Sequence, residues 1–215
     1  MIKLAIFDMD GTICDTIEDL AEAVNYALGV QGYEKHSLDE YKYFVGNGMS
    51  KLIERALPDG LSAELKAETK DIFLGYYKEH FTDHTKPYDG ITTLLDSLKN
   101  KNLHLAVCTN KAHPMAVKVA DLLFNGYFEV VVGQSDRPMK PDPEAVFKIM
   151  DRFSVSPDET VFIGDSDVDM QTAVNSKTHG IGVGWGFRTK EELEKNGAEF
   201  FAQTPMDIIN YIDSI

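Results

Sequence analysis

Positive charge is in short supply: 21 lysines and arginines face 35 aspartates and glutamates, a formal net charge of −14 over 215 residues. A surface of that sign repels nucleic-acid phosphates and anionic membranes, and no basic run offsets it, so neither is an expected partner. Cysteine is scarcer still. Cys14 and Cys108 are the only two; each lies in or beside an apolar segment with no CxxC spacing, which argues for reduced packing residues and against a disulfide or a zinc site. Nowhere do about eighteen apolar residues run together, so no membrane-spanning helix is expected. Only four apolar residues separate Lys3 from Asp8, too few for the apolar centre of a signal peptide. These readings together make the cytoplasm the expected setting, and the chain shows neither an internal repeat nor a low-complexity segment.

What is present is an ordinary apolar fraction, 43% of residues, in a chain long enough for one large domain or for a core with a smaller insert. Five short apolar runs predict strands: "KLAIF" (3–7), "LHLAVC" (103–108), "EVVVG" (129–133), "TVFIG" (160–164) and "HGIGVGW" (179–185). The first four hardly alternate, as in strands covered on both faces. Amphipathic helical patterns lie between them, with Ile91, Leu94, Leu95 and Leu98 on one and Val146, Phe147 and Met150 on another. Strand and helix in alternation predict an α/β fold, a doubly wound parallel sheet.

Residues 15–84 break this rhythm. "DTIEDLAEAVNYALGVQG" carries Ile17, Leu20, Ala21, Val24 and Leu28 on one stripe, and "MSKLIERAL" and "SAELKAETKDIFLGYYKEHF" are further amphipathic helices with no strand-like run between. The expected organisation is a core of residues 1–14 and 85–215 with an all-helical insert, the chain returning near Pro87 and Gly90.

In a doubly wound sheet, ligands bind beyond the carboxyl ends of the strands. The polar residues there are Asp8, Asp10, Gly11 and Thr12 after the first strand, Thr109 and Asn110 after the second, and Asp165, Ser166 and Asp169 after the fourth. Lys140, in "MKPDPEAVF", precedes a helix that leads back toward the fourth strand. Each has an ordinary structural reading as a turn former, helix cap or solvated lysine. Together they bring acids and phosphate-binding groups to one rim. On an extended segment Asp8 and Asp10 point the same way, and clustered carboxylates repel unless a hard divalent cation such as Mg²⁺ sits among them. A carboxylate so held is a competent nucleophile toward phosphorus. Asp165 and Asp169, four apart at the head of a helix, share a face, with Asp167 out of phase and solvated.

The ordered set "DMDGT", "CTN", Lys140 in "KPDP" and "GDSDVDM" resembles the four motifs of the haloacid dehalogenase superfamily of phosphatases, and the insert resembles that superfamily's helical cap. Within it the likeness is to phosphoglycolate phosphatases, through "FVGNGMSKLIERAL" and "GVGWGFRTKEELEKNGAEFF". The resemblance implies Asp8 as nucleophile and Asp10 as the acid and base. It implies Mg²⁺ on the Asp8 carboxylate, the Asp10 backbone carbonyl and Asp165, and phosphoryl oxygens on Thr109 and Lys140 supported by Asn110. Asp169, Thr12 and Ser166 then stand behind the ligands. In the insert, Gly46, Asn47 and Gly48 precede a helix whose free N–H groups suit a substrate carboxylate; Lys51 and Arg55 read as its solvated face. Trp185 and the six histidines receive no role.

The expected substrate is a small phosphorylated metabolite, 2-phosphoglycolate first, for a monomer or homodimer. A sugar-phosphate mutase, a pyrophosphatase or nucleotidase, and a phosphonatase using Lys42 or Lys51 are the alternatives inside the superfamily. A phospho-accepting receiver domain is the alternative outside it; the helical insert and Asp10 speak against that reading.

Overall fold

The computed structural model describes every residue from Met1 to Ile215. In chain order its elements are β1 (Leu4–Phe7), β2 (Cys14–Asp15), α1 (Ile17–Gln31), α2 (Leu38–Phe44), α3 (Gly48–Ala56) and α4 (Ala63–His80). Then come β3 (Lys86–Pro87), α5 (Ile91–Asn100), β4 (His104–Ala112), α6 (His113–Leu123), β5 (Val130–Gln134) and α7 (Glu144–Phe153). The chain ends with β6 (Thr160–Gly164), α8 (Asp167–Ser176), β7 (His179–Val183), α9 (Lys190–Lys195), β8 (Phe200–Ala202) and α10 (Pro205–Ile212). It divides into two compact units, one of Met1–Cys14 with Pro87–Ile215 and one of Asp15–Lys86.

The first unit is a six-stranded sheet in the order β5-β4-β1-β6-β7-β8, with every neighbouring pair parallel. The five expected strands are all present. A sixth, β8, is three residues long, and two of them, Phe200 and Phe201, are only half-buried, so it carries neither the length nor the pattern of a buried strand. Along the centre, Leu4, Ile6, Ala106, Cys108 and Phe162 pack with Val146, Ile149 and Met150 of α7. The alternate residues Ala5, Phe7, Leu105, Val107, Val161 and Ile163 are equally buried. Both faces are thus covered, which is why these strands read as unbroken apolar runs. Phe147, expected in the core, is exposed; Ala145, Val146, Ile149 and Met150 form the buried stripe, and Phe147 falls outside it at 3.6 residues per turn.

In the second unit the stripe of α1 is buried as expected, and Phe73 and Tyr77 of α4 are buried with it. Helix α2 has no apolar period and buries only Tyr41. It is set by its N-terminus, where Glu40 accepts from the Ser37 N–H at 2.9 Å and the Ser37 hydroxyl at 2.8 Å, a reciprocal cap visible in "SLDE". The return segment is held by Asp19 of α1, which is buried: its Oδ1 accepts from the His84 N–H at 2.9 Å, and its Oδ2 accepts from the Thr85 N–H at 2.9 Å and the Thr85 hydroxyl at 2.5 Å.

Candidate active site

Strand register builds the site. Phe7 lies level with Val107 on one side and Ile163 on the other; β1 and β6 finish at this line, whereas β4 runs on to Ala112, so Thr109 and Asn110, expected just past the strand, lie within it. Asp8, Thr109 and Asp165 lie within one or two residues of that line. The chain then turns: the carbonyl of Met9 accepts from the N–H groups of Thr12, Ile13 and Cys14 at 3.2, 3.1 and 3.0 Å. Gly11 in this turn has φ +85°, and a Cβ there would lie 2.3 Å from the Asp165 carboxylate. Both the turn and its approach to Asp165 therefore need glycine.

Three carboxylates, Asp8, Asp165 and Asp169, are buried with oxygens within 4.8 Å of one another. One ammonium reaches into them. Lys140 Nζ lies 2.8 Å from Asp8 Oδ1 and 2.5 Å from Asp169 Oδ1. The first contact is an ion pair outside hydrogen-bond geometry, so Asp8 Oδ1 is buried with a neighbouring charge but no donor aimed at it. Asp169 Oδ2 is taken by the Ser166 N–H at 3.0 Å and hydroxyl at 2.6 Å. Asp165 accepts from the Thr12 hydroxyl on Oδ1 and from the Phe187 N–H on Oδ2, each at 2.9 Å.

Burial pushes the Asp8 carboxyl up from its ordinary 3.8 to about 6; Lys140 opposes this and Asp169 adds to it. Burial, then Asp169 and Asp8, also holds the Asp165 carboxyl well above the usual carboxylate range. Burial works to discharge Lys140, but Asp169 and Asp8 overrule it, so its ammonium is held above its ordinary range. When all three acids are ionised, the one lysine leaves two negative charges uncompensated. With Asp8 Oδ1 lacking a hydrogen-bond donor and the three acids offering hard oxygens, this set fits a divalent cation such as Mg²⁺.

Asn110 grips the backbone of Lys140 at both ends: its Oδ1 accepts from the Lys140 N–H at 2.9 Å, and its Nδ2 donates to the Lys140 carbonyl at 3.1 Å. Thr109 is buried, with Oγ1 accepting from the Lys111 N–H at 3.3 Å. The Asp10 carboxylate stands apart from the buried three and pairs with Lys111 Nζ at 2.8 Å. The even alternation expected from Asp8 to Asp10 ends because β1 stops at Phe7 and a turn follows. Asp165 precedes the helix, Ser166 is its N-cap and Asp169 lies in its first turn, so the two acids meet through a strand-to-helix turn and not along one helical face. Asp167 is half-exposed, 3.6 Å from Arg188 Nε.

Sequence reasoning passed over Lys111, Trp185 and Phe187. Lys111 follows Thr109 by two on one strand, a signal that was available. Trp185 Nε1 donates to the Thr12 carbonyl at 2.9 Å, and Phe187 acts through its backbone, a role that no side-chain pattern announces. Gly46, Asn47 and Gly48 belong to the second unit, at the head of α3, with φ of 117° at Gly46 and 77° at Gly48. Arg55, expected as a solvated residue, folds back on this loop: it donates to the Tyr43 and Phe44 carbonyls at 3.1 and 3.0 Å and to Asn47 Oδ1 at 2.8 Å. Lys51 pairs with Glu54 at 2.6 Å.

Residues 5–183 match the haloacid dehalogenase-like hydrolase family. The chain belongs to that family, and the receiver-domain reading falls. It is an enzyme, a phosphatase, and within the family its likeness is to phosphoglycolate phosphatases. The phosphoglycolate phosphatase of Aquifex aeolicus is 29% identical over 215 residues, 99% of this chain and 98% of its own. That of Thiobacillus denitrificans is 35% identical over 179 residues, 80% and 78% of the two chains. The crystal structure of a candidate phosphoglycolate phosphatase from Lactobacillus delbrueckii subsp. bulgaricus superposes with a TM-score of 0.91 at 31% identity over 98% of each chain. No helix is long and apolar enough to cross a membrane.

Proposed function

We propose that this phosphatase hydrolyses a small phosphomonoester, 2-phosphoglycolate by preference, in the cytoplasm through an aspartyl-phosphate on Asp8. The observation that carries the reading is the buried trio Asp8, Asp165 and Asp169 facing a single lysine. The Asp8 carboxylate attacks phosphorus, and the bond from phosphorus to the ester oxygen breaks. Asp10 gives that oxygen a proton, then takes one from the water that attacks the aspartyl-phosphate, releasing inorganic phosphate and Asp8. Thr109 and Lys140 hold the phosphoryl oxygens, with Asn110 fixing Lys140. Asp8, the Asp10 backbone carbonyl and Asp165 would hold Mg²⁺, backed by Thr12, Ser166 and Asp169; when bound, the ion offsets the charge of the acids and of the transferring group.

Residues 1–14 and 85–215 act as the catalytic domain in this reading, and 15–84 as a cap that selects the leaving group. The N–H groups at Gly46, Asn47 and Gly48 receive the substrate carboxylate, an anion suited to the head of a helix. The test is phosphate release over a panel of phosphoglycolate, pyrophosphate, nucleoside monophosphates and sugar phosphates with Mg²⁺. The reading expects the highest kcat/KM with 2-phosphoglycolate and release without a sugar acceptor. Acid-quenched protein should carry one phosphoryl group on the peptide containing Asp8; a phosphoserine, phosphothreonine or phosphohistidine in its place would refute the mechanism.

A further inference from the structure

Lys111 is the second buried lysine of the core, and the chemistry proposed for the site gives it no part. Its side chain is 4% exposed, and its ammonium lies 2.8 Å from Oδ1 of Asp10, a side chain itself 13% exposed. Lysines are almost never enclosed to this extent unless paired, and here the two lysines divide the acids. Lys140 faces Asp8 and Asp169; Lys111 faces Asp10. The reach is built by the sheet, because β4, which carries Lys111, is hydrogen-bonded along β1, which leads into Asp10. The Lys111 N–H also donates to Thr109 Oγ1, so one short stretch presents both a phosphate-binding hydroxyl and this ammonium.

We propose that Lys111 is a positioning residue for Asp10, fixing the carboxyl group that exchanges protons with the leaving oxygen and the attacking water. The proposal rests on the role given to Asp10 above. An aspartate on a turn has two free side-chain torsions and several accessible rotamers, whereas proton transfer needs its oxygen within about 2.6–3.2 Å of a reacting atom. A charge-assisted contact from an enclosed, backbone-anchored lysine restricts that freedom. Lys111 itself exchanges no proton in this role.

Aryl phosphates graded in leaving-group basicity, and carrying no second anionic group, provide the test, because kcat/KM counts steps only up to departure of the leaving group. In Lys111→Met, kcat/KM should fall about 30-fold or more for phenyl phosphate and about 3-fold or less for p-nitrophenyl phosphate, whose leaving group needs no proton. Asp10→Asn should show the same steepening. The double variant should be no slower than Asp10→Asn alone, as for two residues acting as one unit. Lys111→Arg, which keeps the charge, should recover most of the phenyl phosphate rate.

Equal losses across the series, a rise in KM alone, or losses that add in the double variant would overturn the proposal. If Asp10→Asn shows no steepening, it is the acid-base role of Asp10 that fails, and the proposal with it. Lys111→Met leaves Asp10 without its countercharge, so urea unfolding accompanies the kinetics. Should that variant not fold, the double variant, with charge removed from both partners, and Lys111→Arg decide the question by the same criteria.

Discussion

The two units of this chain place their polar residues differently. In the sheet unit, Asp8, Thr12, Thr109, Asn110, Lys111, Lys140, Asp165, Ser166 and Asp169 are all buried, and they gather around one rim of the sheet. In the helical unit, charges mostly pair at the surface, as in Lys51 with Glu54 and Lys42 with Asp39. Its one buried carboxylate, Asp19, closes the unit on itself by holding residues 84 and 85. Burying ionisable groups is costly unless each is paired. Where a fold concentrates them and leaves negative charge over, chemistry is the explanation; where a single one is saturated with hydrogen bonds, architecture is.

The sharpest way to break this contrast is to remove one buried acid from each unit. Asp8→Asn should fold, as judged by circular dichroism, yet lose more than about 10⁴-fold in turnover because no aspartyl-phosphate can form. Asp19→Ala should do the reverse. It strips three hydrogen bonds from the acceptor and leaves the buried Thr85 N–H without a partner, costing about 3 kcal/mol in urea unfolding at constant m-value. Comparable losses of turnover from the two substitutions, measured on folded protein, would erase the division of labour.

Metal removal sharpens the same contrast within the sheet unit. A chelator should abolish turnover and added Mg²⁺ should restore it; full turnover in metal-free buffer would refute the cation site. The sign of the pH effect follows from Asp8, whose folded value of about 6 lies above its ordinary 3.8. Between those values the folded protein holds a proton that the unfolded chain has released, so in the metal-free protein this group's contribution to stability falls as pH rises through the window and is flat above it. Mg²⁺ favours the ionised form. Its effect on Tm should therefore be larger near pH 7.5 than near pH 5 in thermal melts made with and without the ion.

Much of the sheet unit was legible because its signals are one-dimensional. Strands buried on both faces give unbroken apolar runs, and the polar residues that follow them must lie at one edge. Thus Asp8, Thr109, Asn110, Asp165 and Asp169 could be collected before any geometry was known. What sequence hid is what depends on three dimensions or on backbone atoms. Phe187 supports Asp165 through an N–H, and Trp185 holds a carbonyl of the first turn. The meeting of Lys111 with Asp10 follows from the pairing of β4 with β1, and β8 is too short for any period. The helical unit read well where helices carry an apolar stripe, as α1 does, and poorly at α2, whose position is set by a polar cap.

The smallest expected effect concerns the loop at the head of α3, where sequence offered the least. Proline at Gly48 is a poor probe, since the residue has φ +77° and proline holds φ near −65°; strain alone would account for any loss. Arg55 is the better handle. Its guanidinium spans the Tyr43 and Phe44 carbonyls and Asn47 Oδ1 from a surface position, so Arg55→Met removes the clamp without introducing backbone strain. Exposed hydrogen bonds of this kind contribute little to global stability, and urea unfolding should move by less than about 1 kcal/mol. If the loop's N–H groups receive the substrate carboxylate, loosening it should raise KM for 2-phosphoglycolate by about 5-fold, the loss of roughly 1 kcal/mol of binding, with kcat little changed. Phenyl phosphate, which has no carboxylate to place, should be hydrolysed as before. Equal changes with both substrates would assign the loop to the architecture of the helical unit and leave substrate choice to other residues.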